Sequence, residues 1–175
     1  MISLFEIDNV PKSQSILEIK NNRKASRAIV LIDGKILLIQ SSKFKEYKFP
    51  GGGCETNEFL KDTLKREVLE ESGYEVVSQT IKEFGKVIER HIDSYDKTKI
   101  FIQTSYYFTC EVVKSDKKRN LDLYEIEYGY EPKLVNIDDA ILQNQILLAK
   151  GDPKYPTWIK RELEVLKIVK ERFFK

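Results

Sequence analysis

Glu67, Glu70 and Glu71 fall within two turns near the end of a helix that the sequence predicts from about Asn57 to Ser72. Their direction on that helix is unusual. At about 100° per residue, Leu60 lies at about 20° from Glu67, Leu64 at about 60°, Glu71 at about 40° and Glu70 at about −60°. Leu60, Leu64, Glu67 and Glu71 therefore form one i, i+4, i+7, i+11 stripe, apolar in its first half and acidic in its second. A solvated charged face would lie opposite the apolar stripe, not continue it. Carboxylates turned toward the protein body repel one another and lose hydration, and the helix macrodipole opposes negative charge near the C-terminus. Arg66 can pair with Glu70 at i+4, but such a pair contributes only about 0.3–0.5 kcal/mol when exposed. A divalent cation would offset far more, and all-oxygen donors favour Mg²⁺ or Mn²⁺ over zinc.

Directly upstream stands Pro50-Gly51-Gly52-Gly53. Glycines let the backbone approach a ligand and offer carbonyls or amides to a metal or phosphate, and a plain turn does not need three in succession. A Glu-rich helix taken alone is more often a solvated surface helix; the glycines before it favour a site. A phosphate-binding loop of the GxxxxGK[ST] kind is absent, because these glycines lead into Cys54-Glu55 with no lysine for the phosphates.

Residues 52–74 read Gly52-x5-Glu58-x7-Arg66-Glu67-Val68-x-Glu70-Glu71-x-Gly73-Tyr74. This pattern resembles the Nudix box, with its glycine, glutamate, Arg-Glu, Glu-Glu and final glycine at fixed spacings. The one departure is Tyr74, where the family usually carries an aliphatic residue. Phe49-Pro50-Gly51 leading in and Gly129-Tyr130-Glu131-Pro132 further on agree more loosely. The resemblance implies an α/β fold, a Nudix-type α/β/α sandwich with a mixed sheet. It also implies hydrolysis of a nucleoside diphosphate linked to another moiety, by attack of water at phosphorus. By position, Glu67, Glu70 and Glu71 are then the metal-facing carboxylates for Mg²⁺ (or Mn²⁺), with the carbonyl of Gly51 or Gly52 as a further ligand. Glu58 and Arg66 orient the loop and the glutamates, and Gly73 closes the helix.

The resemblance leaves several matters open. Glu67 is the first choice of general base, with Glu125, Glu127 and Glu131 as acids outside the box. The substrate is a nucleoside triphosphate, ADP-ribose or a nucleotide sugar, or a dinucleoside polyphosphate, since specificity resides in loops. A catalytically silent nucleotide-sensing domain is the alternative, and the intact glutamates argue against it. Both monomers and homodimers occur in the family. For substrate contacts, Arg27 suits a phosphate through charge-assisted bonds, though an exposed strand-edge charge is equally consistent. Glu127 is a second such residue. Phe44, Tyr47, Tyr95 and Tyr106 could stack on a base or fill the core, and His91 falls in an expected loop.

The surrounding elements must hold this segment in place. Ala28–Ile32 and Lys35–Ile39 read as a hairpin about Asp33-Gly34, their near-continuous apolar runs pointing to strands covered on both faces. Lys20–Lys24 reads as a loop after a short N-terminal strand. Extended segments follow at Tyr74–Ile81, Phe84–Arg90 and Lys99–Lys114, with a charged loop at Ser115–Asn120. A short strand at Lys133–Val135 leads to a helix capped by Asn136 and running to about Leu148. Thr157–Phe173 places Ile159, Leu163, Leu166, Val169 and Phe173 at helical spacing, as expected of a helix docked on the domain.

The 175 residues suit one domain, here residues 1–175, with 41% apolar and 33% charged content. Net charge is +2, which gives no bulk attraction to nucleic acid or membrane; the expected partner is a small nucleotide. Cys54 and Cys110 are far apart and, with the single His91, make a zinc site improbable. The chain shows no basic, apolar leader and no run of about 20 apolar residues, so the expected setting is cytoplasmic.

Overall fold

A computed structural model describes residues 1–15, 17–93 and 95–174, with nothing to be said of the side chains of Lys20 and Asn21. The strands are β1 (Ser3–Asp8), β2 (Glu18–Ile29), β3 (Leu31–Ile32), β4 (Lys35–Ser41), β5 (Tyr47–Lys48), β6 (Gly51–Gly53), β7 (Tyr74–Val76), β8 (Lys82–Ile92), β9 (Lys99–Thr109), β10 (Val112–Lys114) and β11 (Tyr130–Val135). The helices are α1 (Leu60–Ser72), α2 (Leu123–Tyr128), α3 (Ile137–Lys150) and α4 (Ile159–Phe173). Among the described residues no helix is long and apolar enough to cross a membrane.

The principal sheet has the order β1-β8-β9-β2-β6 and is mixed: β1 with β8 and β9 with β2 run parallel, β8 with β9 and β2 with β6 antiparallel. Alternation along β2 divides its side chains between two layers. Ala28, with Val30 just beyond the strand, packs with Leu64 and Val68 of α1 and with Phe108. Ile29 packs on the other side with Phe49 and Tyr107 and with Val165, Leu166 and Val169 of α4. The chain is thus an α/β sandwich with a mixed sheet between helices. A second sheet, β11-β4-β3, carries β5 on β4; Ile36, Leu37, Leu38 and Ile39 of β4 are all buried, as a strand covered on both faces should be.

Several expectations need correction. Lys20–Lys24 is not a loop but part of β2, which pairs with β9 through an irregularity between Ile19 and Asn21; the Arg23 side chain borders a cavity rather than a core. The Asp33-Gly34 hairpin forms, with φ of 49° and 73° at the turn. Its first arm breaks after Ile29, however, and passes from the principal sheet to the second. Lys99–Lys114 likewise splits at Cys110-Glu111, because Val112–Lys114 leaves β2 to pair with β7. His91 lies in β8, and Glu125 and Glu127 lie in α2, a helix opened by a reciprocal Asp122–Glu125 capping box.

Helix α1 begins at Leu60, not Asn57, since Asn57 takes φ 65°, which helix propagation cannot accommodate. Its end falls where the sequence places it: Gly73 adopts φ 73° and its N–H returns to the Leu69 carbonyl. A Cβ on Gly73 would meet nothing nearer than Arg119 Cγ at 3.5 Å, so the backbone alone resists substitution. Gly73→Ala is therefore expected to destabilise the protein by about 1 kcal/mol with α1 otherwise intact. Urea unfolding checks this; an unchanged midpoint would show that the left-handed cap matters little.

Candidate active site

The lead-in to α1 is built around Gly51. Gly51 pairs with Arg27 across β6 and β2, at φ 143°, and a Cβ there would stand 2.1 Å from the Ser26 carbonyl oxygen. Only glycine fits. Both ends of the residue are held: its N–H donates to Glu71 Oε2 at 2.8 Å, and its carbonyl accepts from Arg27 Nη1 at 3.2 Å. Gly52 faces α1, where a Cβ would come 2.4 Å from Glu67 Oε2. The glycine turn and the acidic stripe are in direct apposition.

The stripe resolves into three distinct environments. Glu71 points into the body and is 1% exposed, among Leu64 and Val68 of the same helix. Burial pushes its carboxyl up to about 7, against the pull of Lys48, whose Nζ donates to Glu71 Oε1 at 2.6 Å. Glu67, one turn earlier in the stripe, faces Gly52, and burial raises it as well, with Arg66 pulling the other way. Glu70 sits toward the rim, its side chain 29% exposed.

Arg66 is the hub. Nε and Nη2 grip Glu58 at 2.9 Å each, Nη1 reaches Glu67 at 2.8 Å and Glu70 at 3.0 Å, and Nη2 also donates to the Gly53 carbonyl at 3.1 Å. Glu58 additionally accepts from the Glu55 N–H and Thr63 Oγ1. The fork from Arg66 above all holds the Glu58 carboxyl down at about 2. Glu58 and Arg66 therefore brace the loop against the helix, the geometry an orienting pair requires.

Lys48 links this centre to α2. Besides Glu71 it lies 3.7 Å from Glu125 Oε1 and over the Tyr130 ring at 4.3 Å. Glu125 is buried, which by itself raises a carboxyl, yet Lys48, Glu71, the Asp122 N–H and the Tyr124 hydroxyl together hold it low. Of the three outside acids, Glu125 alone approaches the box. Glu127 turns outward to Lys43 at 2.5 Å, and Glu131 sits exposed beside Lys133. Arg119, from the charged loop, caps the C-terminal end of α1 by donating to the Glu71 and Tyr130 carbonyls.

A cavity of about 670 Å³ opens beside the glycines, a volume suited to a small-molecule ligand. Gly51, Gly52, Lys48, Arg23 and Arg27 border one part, and Tyr124, Tyr128, Tyr130, Trp158 and His91 supply aromatic surface. Arg27 is thus a buried wall residue rather than an exposed strand-edge charge. The aromatic side chains singled out from sequence lie elsewhere. Tyr106 packs against the core beneath α1, Tyr47 packs against the core beneath α4, Tyr95 is 95% exposed, and Phe44 meets Tyr128 and Tyr155 edge-on.

The residues fit a divalent cation chemically: the stripe and the glycine carbonyls offer only oxygen donors, and burial leaves Glu67 and Glu71 short of compensating charge. Their present partners are basic side chains and, for Glu71, the Gly51 N–H, and among the described residues no three carboxylate, histidine or cysteine groups converge as a ready-made ligand set. Glu67, Glu70 and Glu71, with the Gly51 or Gly52 carbonyl, are the residues that would hold one.

Comparison with known proteins identifies the family and the fold. The sequence matches the NUDIX domain over residues 22–159, and the chain belongs to the Nudix family. No curated protein matched it. Among solved structures, a NUDIX hydrolase from Nitrosomonas europaea is similar at TM-score 0.55 and 21% identity, covering 86% of this chain and 91% of that one. A MutT from work on Aliivibrio salmonicida and Vibrio cholerae reaches TM-score 0.53 at 18% identity, covering 87% and 100%. A MutT from Bacillus halodurans reaches 0.51 at 21%, covering 69% and 72%. At these identities the likeness concerns the fold.

Gly52→Ala tests the apposition. The clash falls on the mobile end of Glu67, so the variant should fold with stability within about 1 kcal/mol of wild type while the carboxylate is displaced. Any Mg²⁺-dependent hydrolysis should fall about tenfold or more. Full activity would show that Glu67 need not face Gly52.

Proposed function

We propose that this protein is a Mg²⁺-dependent pyrophosphohydrolase acting on a nucleoside diphosphate linked to another moiety. The observation that carries the reading is that Gly52 is at once a wall of the cavity and the neighbour of the Glu67 carboxylate. A polyphosphate lying along that wall would meet the acidic stripe on one side and Lys48, Arg23 and Arg27 on the other. The aromatic surface of Tyr124, Tyr128 and Trp158 suits a base or sugar face.

When bound, the divalent cation supplies charge neutralisation at the pyrophosphate and acidifies a water. The chain's own residues do the rest. Arg27 and Arg23 offer charge-assisted bonds to phosphate oxygens. Arg66 holds Glu67 and Glu70 apart and oriented, with Glu58 as its counterweight. Glu67, raised by burial and facing Gly52 of the cavity wall, would take a proton from the attacking water. Glu125 is the second choice, being near Glu71 but tied to Tyr124 and to its own helix cap.

Phosphate release from a panel of nucleoside triphosphates, ADP-ribose, nucleotide sugars and dinucleoside polyphosphates, with Mg²⁺ and with chelator, tests the reading. Turnover should require the metal and fall about 10²–10⁴-fold in Glu67→Gln at unchanged fold. Near-normal turnover in that variant would remove Glu67 from the chemistry. Nucleotide binding by wild type without turnover would make the protein a sensor instead.

A further inference from the structure

Helix α4 carries a carboxylate inside its apolar stripe. Measured from Ile159 at about 100° per residue, Leu163 lies at about 40°, Leu166 at about −20° and Val169 at about −80°. Glu162 lies among them at about −60° and is fully buried. A docked helix does not need this, since an apolar residue of similar volume packs as well or better.

Among the described residues, Glu162 has one hydrogen bond and one longer ion pair outside its own helix, and both go to the lead-in of the glycine turn or its support. Oε1 accepts from Arg161 Nε at 2.9 Å and Nη2 at 2.6 Å and lies 3.8 Å from Arg27 Nε. Oε2 accepts from the Phe49 N–H at 2.9 Å, two residues before Gly51. Arg27 in turn donates to the Gly51 carbonyl, and Arg161 reaches across to Glu89 in the cavity wall. The Gly51 backbone is thereby contacted from both sides, its N–H by Glu71 of α1 and its carbonyl by Arg27, whose Nε makes no hydrogen bond and lies at ion-pair distance, 3.8 Å, from Glu162 of α4.

We propose that Glu162 is a positioning residue for the glycine turn, acting through Arg27 and the Phe49 amide to set Gly51 and Gly52 against Glu67. The C-terminal helix then belongs to the scaffold of the metal site. The inference rests on the proposed function for what the turn serves, but not for how the turn is held.

The test compares wild type with Glu162→Gln, with the apolar double variant Arg161→Met/Glu162→Leu, and with Leu163→Ala as a control that loosens α4 without touching the link. The readouts are the Gly51 and Gly52 amide resonances of the metal-free protein and Mn²⁺ affinity by electron paramagnetic resonance. Both Glu162 variants should shift those resonances and weaken Mn²⁺ binding about tenfold or more. Leu163→Ala should lower thermal stability and do neither. Unmoved resonances with Mn²⁺ affinity within about twofold of wild type in a folded Glu162 variant would overturn the inference. So would failure of both variants to fold, which would make Glu162 structural. If wild type binds no Mn²⁺, the metal reading fails, and the resonances still decide the positioning role.

Discussion

Like charges in one small volume are the constraint on which the site depends. Glu58, Glu67, Glu70 and Glu71 lie on one helix and its lead-in, and they can stay ionised together only if cations stand among them. Arg66 does this for the outer three with a single guanidinium, whose planar fork can serve several carboxylates at once. Lys48 does it for the innermost, where a compact ammonium fits between Glu71, Glu125 and the Tyr130 ring. Burial nevertheless pushes the Glu67 and Glu71 carboxyls up, and the divalent ion proposed for the centre would offset that cost.

The fold delivers these groups by using both faces of one sheet. The face under α1 is closed by Leu64, Val68, Ala28 and Phe108, which fixes the roll of the helix and hence the direction of its acidic half. The face under α4 is closed near Tyr107 and Phe49 and opens further along β2, β8 and β9 into the cavity bordered by Arg23, Glu89 and Gln103. Gly51–Gly53 sits at the sheet edge between the two layers, which is why residues of α1 and α4 can both grip the turn.

Much of this was legible in the sequence, and what was missed has physical reasons. The box, the glycine stop of α1, the Asn136 cap and the apolar stripe of α4 are local signals, and local signals survive folding. The start of α1 was misplaced because Asn57 reads as a cap and instead takes a left-handed turn, while Glu58 is committed to Arg66. Lys20–Lys24 reads as a loop because its composition lacks a core face; the strand that contains it borders the cavity through Arg23. Lys48 and the tyrosines of α2 gave no local signal, and Tyr130 stood out only as part of the Gly129–Pro132 stretch; only tertiary pairing brings them to Glu71 and the cavity. Glu162 is different. The argument that singled out Glu71, an acid continuing an apolar stripe, applies equally to Glu162, and it points to the second carboxylate that grips the turn.

The central claim is that the acidic stripe and the glycine turn form one divalent-cation centre at the cavity wall. Crystals soaked in Mn²⁺ and examined at the manganese absorption edge test it most directly. The account requires an anomalous peak at ligating distance from a Glu67 oxygen, a Glu70 or Glu71 oxygen and the Gly51 or Gly52 carbonyl, with Arg66 or Lys48 drawn away from the ligating oxygens. Well-ordered density for these side chains with their arginine and lysine contacts intact, and manganese elsewhere or nowhere, would contradict it.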